Sequence, residues 1–465
     1  MENILSVIRS DEEYMTKRAK WNLYWMAFRG IYYNRLTKKY EEDVAVNNLK
    51  KVVTTLNWFL FGESGAQPFF NEGTKGVQMA VQQVLDYANF PAICNDIGSD
   101  ASIYGDAFVK LGYEELEADD PRKVKYGLKN GIINMKVVDP AIVYPKLSTL
   151  DKDKVEYYVI DYTTDQYTYT EIHHKDRIEI YNNDSLVMEH ENPLNEFLIV
   201  HVPNYRNTKS FYGLSDFEDV FLLNREIVAK VKDLSDIIDY HGSPITLLFG
   251  VKRQDLIKGA RRVWSGLPKD AKVENLQLDT DLESINNFIK LLDDKVWELA
   301  DIPEIARGKK ISISNTSSAA MKMMYYPLIQ KAGRKKILLT PAVKDIIWLV
   351  MSLLEAKGEI ELPTNPMDFR IEYPSPFPQD ELIAMSVIER RKALGMITKR
   401  KALEYIGETD IDRIIEILGE EFPVEEDGVN HANNEKQREV KDSYYSELQQ
   451  ESDPLYQDTE NIKVK

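Results

Sequence analysis

The sequence predicts an α+β protein in which amphipathic helices flank a region of short β-strands. Over much of the first 104 residues, and again over 215–357, apolar residues recur at spacings of three and four, as in amphipathic helices. Between about 106 and 202, short runs of β-branched and aromatic residues alternate with turn residues, as in antiparallel hairpins. With 465 residues, the chain is long enough for two or three packed units.

Composition limits the classes of function. The formal net charge is −17, whereas a dedicated nucleic-acid binder usually carries a positive surplus that neutralises phosphates. Tight DNA binding is therefore not expected, although a surface along which DNA slides remains compatible with this charge. The single cysteine, Cys94, excludes an internal disulfide. The sequence has neither a secretory-signal pattern nor an uninterrupted apolar run of about 18 residues, so we expect a soluble protein without a membrane partner that is made in the cytosol.

The first third predicts four helices, over 12–38, 42–61, 74–89 and 91–104. In the second of these, Gly62 follows the apolar run and is expected to end the helix as a C-cap.

Strands are predicted at four runs between turns: 155–162, 166–174, 176–181 and 197–202. His173 and His174 are neighbours in one of them. Because adjacent side chains in a strand point to opposite faces, we expect two partly exposed histidines rather than a shared metal site.

A long helix is predicted from Ser215, which with Glu218 forms a capping-box pattern, to the turn at 241–244. A compact insert is expected to follow it. This insert consists of a strand, a short basic helix and a second strand, at 245–249, about 253–264 and 272–278.

A second long helix is predicted from 280 or 281 to 302, where Pro303 disfavours further helix. Its apolar residues alternate at spacings of three and four, which is typical of a helix that packs along its whole length. The residues of this stripe that we expect to pack in an interface are Ile285, Ile289, Leu292 and Val296.

A third helical region is predicted up to about 357, with possible N-caps at 315–318. Pro327 and Pro341 lie inside it, so a kink or break is expected at one or both. A strand over 368–373 and two or three short helices up to Leu418 complete the predicted elements.

No pattern of catalytic chemistry is present. The sequence lacks a phosphate-binding loop, an H-E-x-x-H or C-x-x-C pattern and a G-x-S-x-G elbow. Acidic pairs such as Asp293-Asp294 are expected to be solvated faces. We therefore predict no catalytic residue, no metal site, no cofactor and no enzymatic activity.

Basic residues are concentrated in two segments of this acidic chain. Residues 303–340 contain eight bases and one acid, and residues 250–272 contain seven bases and two acids. Each segment is either a solvated face paired with nearby acids or a face toward a polyanion or an acidic partner. The residues alone leave both interpretations open.

Six segments, in this order, resemble the portal family of tailed double-stranded DNA bacteriophages, especially the type found in Gram-positive siphophages. They include VNNLKKVVTTLNWFLFGE, SIYGDAFVKLGY and VVDPAIVYP in the first third. The complete set is 46–63, 102–113, 137–145, 212–244, 299–325 and 377–407. Together they cover most of residues 40–420.

This resemblance implies a portal fold that assembles as a ring. The expected parts are an α/β wing, a two-helix stem, a small α/β clip, a tunnel loop with a kinked tunnel helix, and a helical crown. In the same order they correspond to 1–212 with 359–378, 213–241 with 280–302, 242–279, 303–358, and 379–422. The acidic tail, 423–465, is expected to be disordered.

The resemblance also implies a function. A portal ring, usually of twelve subunits, forms the channel at the unique capsid vertex for DNA packaging and ejection. The implied partners are further copies of the chain, double-stranded DNA, the terminase large subunit, major capsid and scaffolding proteins, and a head-completion adaptor, with the virion as location. The alternatives are a non-portal head–tail connector or baseplate ring protein and, with less support, a nucleic-acid-processing enzyme.

The basic segments acquire roles from their places in the portal fold. The candidates that would face DNA in the channel are Arg307, Lys309, Lys310, Lys322, Lys331, Arg334 and Lys335. The candidates that would dock the motor or an adaptor are Lys252, Arg253, Lys258, Arg261 and Arg262.

Overall fold

The computed structural model describes residues 2–34, 38–42, 46–70, 75–117, 119–126, 128–164, 167–183, 185–242, 246–249, 272–275, 282–308, 318–377, 381–406 and 413–415. Two compact units divide the chain between Pro376 and Phe377. The first contains all the strands of the described residues.

The N-terminal helices are α1 (Glu2–Ser10) and α2 (Glu12–Phe28). The helix predicted over 12–38 is wrong beyond Phe28, where a hairpin of β1 (Ile31–Asn34) and β2 (Lys39–Glu42) follows. Gly30 ends the helical region in the left-handed conformation, at φ +81°.

Three further helices confirm the predictions in this region, although the first begins six residues later than predicted. They are α3 (Asn48–Phe61), α4 (Lys75–Ala88) and α5 (Phe90–Tyr104). Asn47 caps α3 by accepting the Lys50 N–H at 3.0 Å, and Gly62 ends it as expected.

Two antiparallel sheets confirm the predicted hairpins. The three-stranded sheet has the order β11-β4-β5 and the five-stranded sheet the order β10-β9-β8-β7-β6. Their strands are β4 (Asp106–Glu115), β5 (Gly131–Val138), β6 (Val143–Leu147), β7 (Val155–Thr163), β8 (Thr168–His173), β9 (Arg177–Asn182), β10 (Ser185–Glu191) and β11 (Ile199–Pro203). A short helix, α6 (Pro121–Tyr126), connects β4 to β5. Phe108, Val138 and Tyr158 belong to the apolar core that these strands share.

The expectation of two partly exposed histidines is wrong for His173, which is 2% exposed. Its Nε2 lies 2.8 Å from Oε2 of Glu171, and Lys110 Nζ donates to the same carboxylate at 2.7 Å. Lys110 is on β4 and Glu171 on β8, so this buried polar group connects the two sheets.

The two long helices are α7 (Phe221–Gly242) and α8 (Leu282–Leu299), which pack against each other. Between them lie β12 (Thr246–Phe249) and β13 (Lys272–Asn275), which form an antiparallel pair. The two strands agree with the predicted insert, and its predicted helix near 253–264 lies outside the described residues.

The capping box predicted at the start of the first long helix is wrong. The Ser215 hydroxyl accepts the N–H of Phe217 and donates to the carbonyls of Ser102 and Ile103. Glu218 instead forms an ion pair with Lys20. Residues 216–220 form turns, and the helix begins at 221.

The third helical region is divided at Tyr325 into α9 (Ser318–Met324) and α10 (Tyr326–Ala356). This break, just before Pro327, confirms the prediction of a kink or break at one or both prolines. Helix α10 continues through Pro341. By length and composition, it is the one helix in the described part of the chain that is apolar enough to cross a membrane. Most of that apolar stretch is buried inside the protein, as in a core helix.

The predicted C-terminal strand is confirmed as β14 (Phe369–Glu372), which pairs with β3 (Gln67–Phe70). The second unit contains α11 (Glu381–Ala393) and α12 (Lys399–Ile406).

Candidate functional site

Helix α8 packs on α7, and the apolar stripe predicted from its sequence is less exposed than most of the helix. Val296 is buried, and Ile285, Ile289 and Leu292 are half-buried. Ile285 lies in a groove of about 610 Å³ between the two helices. The groove is lined by Lys230, Asp233, Asp236, Ile237, Ser284, Ile285 and Phe288.

One flank of α8 beside this stripe carries large apolar side chains that stay partly exposed in the described part of the chain. Phe288, Leu291 and Leu299 are 43%, 54% and 49% exposed. At 100° per residue, they lie to one side of the stripe that faces α7. A single copy of the chain therefore leaves an apolar helix flank in contact with solvent.

Arg307 lies in a short 3₁₀ helix (Glu304–Arg307) that follows α8, and carboxylates surround its guanidinium. Nη1 lies 3.6 Å from Asp293 and 3.4 Å from Asp294, and Nη2 lies 3.0 Å from Glu304. The guanidinium also covers the ring of Trp297, with its Cζ 5.4 Å from the ring centroid. Only 9% of the Arg307 side chain is exposed. We call this group the Arg307 clamp.

The clamp is also tied to the N-terminal region through one carboxylate. Oδ1 of Asp293 accepts hydrogen bonds from the Asn48 amide at 2.8 Å and from the Trp297 indole at 3.1 Å. Asn48 begins α3. These contacts hold the chain up to Gly308 against both α8 and α3, so the expectation that Arg307 faces DNA is not met by its position in a single subunit.

Lys335 of α10 is buried, with 5% of its surface exposed. Its ammonium forms an ion pair with Asp216, and also donates to Oδ1 of Asn204 at 2.5 Å and to the Ser102 hydroxyl at 3.1 Å. The ring of Tyr205 lies 5.3 Å from the same nitrogen.

Lys331 lies one turn earlier on the same face of α10 and is also buried. Its ammonium donates to the Ala300 carbonyl at 3.0 Å and lies 3.4 Å from the Asp216 carboxylate and 3.9 Å from that of Asp301. We call Lys331, Lys335, Asp216, Asn204 and Ser102 the buried lysine cluster. In the single subunit the charges of Lys331 and Lys335 are compensated by buried carboxylate contacts, which argues against the prediction that they face a DNA channel.

The ionisation of the cluster follows from burial and mutual attraction. Burial acts to raise the pKa of Asp216, but the two ammonium groups outweigh it and leave that pKa below its ordinary value. Burial lowers the pKa of Lys335, against the opposing effect of Asp216. The carboxylate of Asp216 is thus held in its charged form.

Two of the sequence segments that carry the portal resemblance meet at this cluster. The backbone of Gly105, at the end of α5, crosses that of Gly213 so closely that a Cβ on Gly213 would lie 2.3 Å from the Gly105 carbonyl oxygen. Ser102 is one turn before this crossing and Asp216 just after it. No local sequence pattern predicts this contact, because the two segments are about 110 residues apart.

The other predicted site residues are either exposed or outside the described part of the chain. Lys322 is exposed on α9, and Arg334 is exposed on α10, where it forms one ion pair with Asp301 at 3.3 Å. The remaining channel candidates, Lys309 and Lys310, lie outside the described residues. So do all the docking candidates: Lys252, Arg253, Lys258, Arg261 and Arg262.

No group of three or more histidines, cysteines or acids in the described ranges is arranged to hold a metal ion. No curated protein matches the sequence. The model of one family, described as "phage portal protein, SPP1 Gp6-like", matches residues 7–421. This match spans both compact units and nearly the whole of the described chain, and the chain therefore belongs to the phage portal family of the SPP1 Gp6-like type.

Proposed function

We propose that copies of this portal chain close into a ring, of twelve subunits as is usual in the family, at the unique vertex of the capsid. The observation that carries the proposal is the exposed apolar flank of α8. Head-to-tail contacts between identical subunits close into a ring when the rotation between neighbours allows it. Phe288 also lines the groove against α7, but about half of each side chain of the flank is exposed, which leaves apolar surface for a neighbour to cover.

The apolar flank is large enough to contribute to such an interface. Fully burying one leucine or phenylalanine side chain is worth about 1.5–3 kcal/mol. About half of the surface of Phe288, Leu291 and Leu299 is exposed in the subunit, so burying the rest of each side chain contributes roughly half of that range. Because the same surface is repeated at every subunit boundary, a small contribution per contact stabilises the whole ring.

We further propose that double-stranded DNA passes through the bore of this ring during packaging and ejection. The net charge of −17 disfavours tight binding of a polyanion. Exposed bases are required only for weak, sequence-independent phosphate contacts. Of the candidates, Lys322 and Arg334 are exposed in the subunit, and Lys309 and Lys310 complete the proposed set.

The segment 242–279 is proposed as the docking site for the terminase large subunit during packaging and for a head-completion adaptor afterwards. Its support is its place between α7 and α8 and its surplus of basic residues, which complements an acidic partner surface. Major capsid and scaffolding proteins are the other proposed partners. The protein would be made in the bacterial cytoplasm and incorporated into the virion.

The ring proposal is tested with the double variant Phe288→Asp and Leu291→Asp. Aspartate is tolerated on a solvent-exposed flank but not in an apolar interface, where its charge would be buried without a partner. We expect a folded subunit, by circular dichroism, that no longer forms rings in size-exclusion chromatography with light scattering. Leu150→Asp is the matched control, since Leu150 is an exposed leucine in the loop between β6 and β7. Normal rings from the double variant would contradict the assignment of this flank to the interface.

A further inference from the structure

The buried lysine cluster lies where α10 meets the ends of both long helices. Asp216 is five residues before the start of α7, and Ala300 directly follows the end of α8. Lys335 binds the first of these sites, whereas Lys331 binds the second and also lies 3.4 Å from the Asp216 carboxylate. Residues four apart on a helix lie on the same face, so a single turn of α10 holds the ends of both helices.

We propose that this cluster is a mechanical joint through which the position of α10 determines the position of α7 and α8. The Lys335 half of the joint holds α7, and the Lys331 half holds α8. The consequence for DNA translocation rests on the proposed channel function, whereas the joint itself is a property of the single subunit.

Electrostatics makes the joint stiff. Separating Lys335 from Asp216 would leave the Lys335 ammonium in the interior without a carboxylate and Asp216 with Lys331 alone, at 3.4 Å, which is strongly unfavourable. The neutral members, Asn204 and Ser102, fix the geometry because each uses a side-chain oxygen to accept from Lys335. The ammonium is therefore fixed by three oxygen atoms from three separate parts of the chain.

The break between α9 and α10 lies on the other side of this joint. Tyr325 interrupts the helix, six residues before Lys331. Rotation at this break would move α9 without disturbing the cluster. Displacement of α10 itself must either carry the ends of α7 and α8 with it or break buried ion pairs. A force on α10 from DNA in the bore would thus reach the two long helices directly.

The test separates the two halves of the joint by hydrogen–deuterium exchange on the purified full-length protein. The double variant Asp216→Asn/Lys335→Met removes one positive and one negative charge, so the net charge of the cluster is unchanged. Lys331 loses Asp216 but keeps the Ala300 carbonyl and Asp301 as partners. We expect amide exchange in 221–228 of α7 to become faster by about tenfold or more, while 293–299 of α8 changes little.

The second variant, Lys331→Met, is expected to produce the opposite pattern. It removes the donor to the Ala300 carbonyl and leaves the ion pair between Lys335 and Asp216 in place. Exchange in 293–299 should accelerate by about tenfold or more, with a smaller change in 221–228. The matched control is Lys336→Met, because Lys336 is the adjacent lysine and contacts the Tyr373 ring at 4.5 Å rather than either long helix.

Two outcomes would overturn the joint. Exchange rates at 221–228 and 293–299 that match the wild type in both variants would show that neither lysine holds these helices. Equal acceleration throughout the first unit, including 155–182 of the five-stranded sheet, would show that the cluster contributes only global stability. If the double variant does not fold, Asp216→Asn/Lys335→Gln replaces it, because glutamine keeps a hydrogen-bond donor at the site.

Failure of the joint can be told apart from failure of the proposed channel function. Exchange is measured without DNA, and ring assembly is measured separately by light scattering. If the wild type forms no ring but the two variants give opposite exchange patterns, the joint stands and the ring proposal does not. If the wild type forms rings but the two variants give the same exchange pattern, the ring proposal stands and the joint does not.

Discussion

Replacing Arg307 by methionine removes the guanidinium but keeps a long, unbranched side chain. This substitution distinguishes the clamp position found here from the DNA-facing role that the sequence suggested. In the clamp, Arg307 binds Asp293, Asp294 and Glu304 and covers the Trp297 ring. Without it, the three carboxylates lose the guanidinium that lies between them.

The expected loss follows from the exposure of the partners. Asp294 and Glu304 are 57% and 59% exposed, so each of these ion pairs contributes less than about 1 kcal/mol. Asp293 is less exposed and contributes somewhat more, and contact with the Trp297 ring adds about 0.5–1 kcal/mol. We therefore expect the free energy of unfolding to fall by about 2–3 kcal/mol.

The assay is urea denaturation at low and at high salt, with Arg334→Met as the control. Arg334 is exposed and forms a single ion pair, so its replacement should cost less than about 1 kcal/mol. Salt should reduce the difference between wild type and Arg307→Met, because screening weakens the exposed pairs. A variant with wild-type stability but altered DNA packaging would refute the clamp and restore the DNA-facing role.

Three further predictions concern other parts of the chain. Burial acts to raise the pKa of Glu171, but hydrogen bonds from a histidine and a lysine lower it from 4.5 to about 2. The ionised carboxylate therefore stabilises the fold above pH 4.5, and this stabilisation is lost as the pH falls toward 2. In Glu171→Gln, the free energy of unfolding should depend less on pH over this range, as measured by denaturation. The same pH dependence in wild type and variant would contradict the prediction. Gly213→Ala should lower the free energy of unfolding by several kcal/mol, about 3 or more, because its Cβ would meet the Gly105 carbonyl at 2.3 Å; an unchanged melting temperature would exclude the close crossing. Charge reversal at Arg261 and Arg262 should abolish packaging while rings still form, and unchanged packaging near physiological salt would exclude the proposed motor docking.

Local sequence patterns predicted the elements whose structure depends on local forces. The three-and-four spacing in α8 and the β-branched runs of β7 to β9 each correspond to an observed element. The prediction errors occur where a contact between residues distant in the sequence determines the local structure. The Ser215 hydroxyl donates to carbonyls of α5 and is used in a turn, so the helix begins later than its own capping pattern predicts.

The basic segment 303–340 shows that the exposure of charged side chains, too, depends on contacts that local sequence does not reveal. Eight bases within 38 residues suggested one surface facing DNA. Lys335 finds its carboxylate 119 positions earlier in the chain, and no local pattern reveals such a partner. Arg307 differs, because Asp293, Asp294 and Glu304 all lie within 14 residues. For that residue, the sequence did contain the information needed to predict ion pairing instead of a free charge.

Charge along the sequence is therefore a poor guide to charge facing the channel in this portal protein. Of the five channel candidates that the structure describes, Arg307, Lys331 and Lys335 are engaged by carboxylates of the same subunit and little exposed. A buried lysine cannot release counterions from DNA, so it contributes nothing to the salt dependence of a DNA contact. In the proposed ring, the bore would then carry fewer exposed positive charges than the sequence suggests, which suits a channel that conducts DNA without retaining it. The buried lysines instead bind α10 to the helices that surround it, so the basic segment contributes to the mechanics of the subunit.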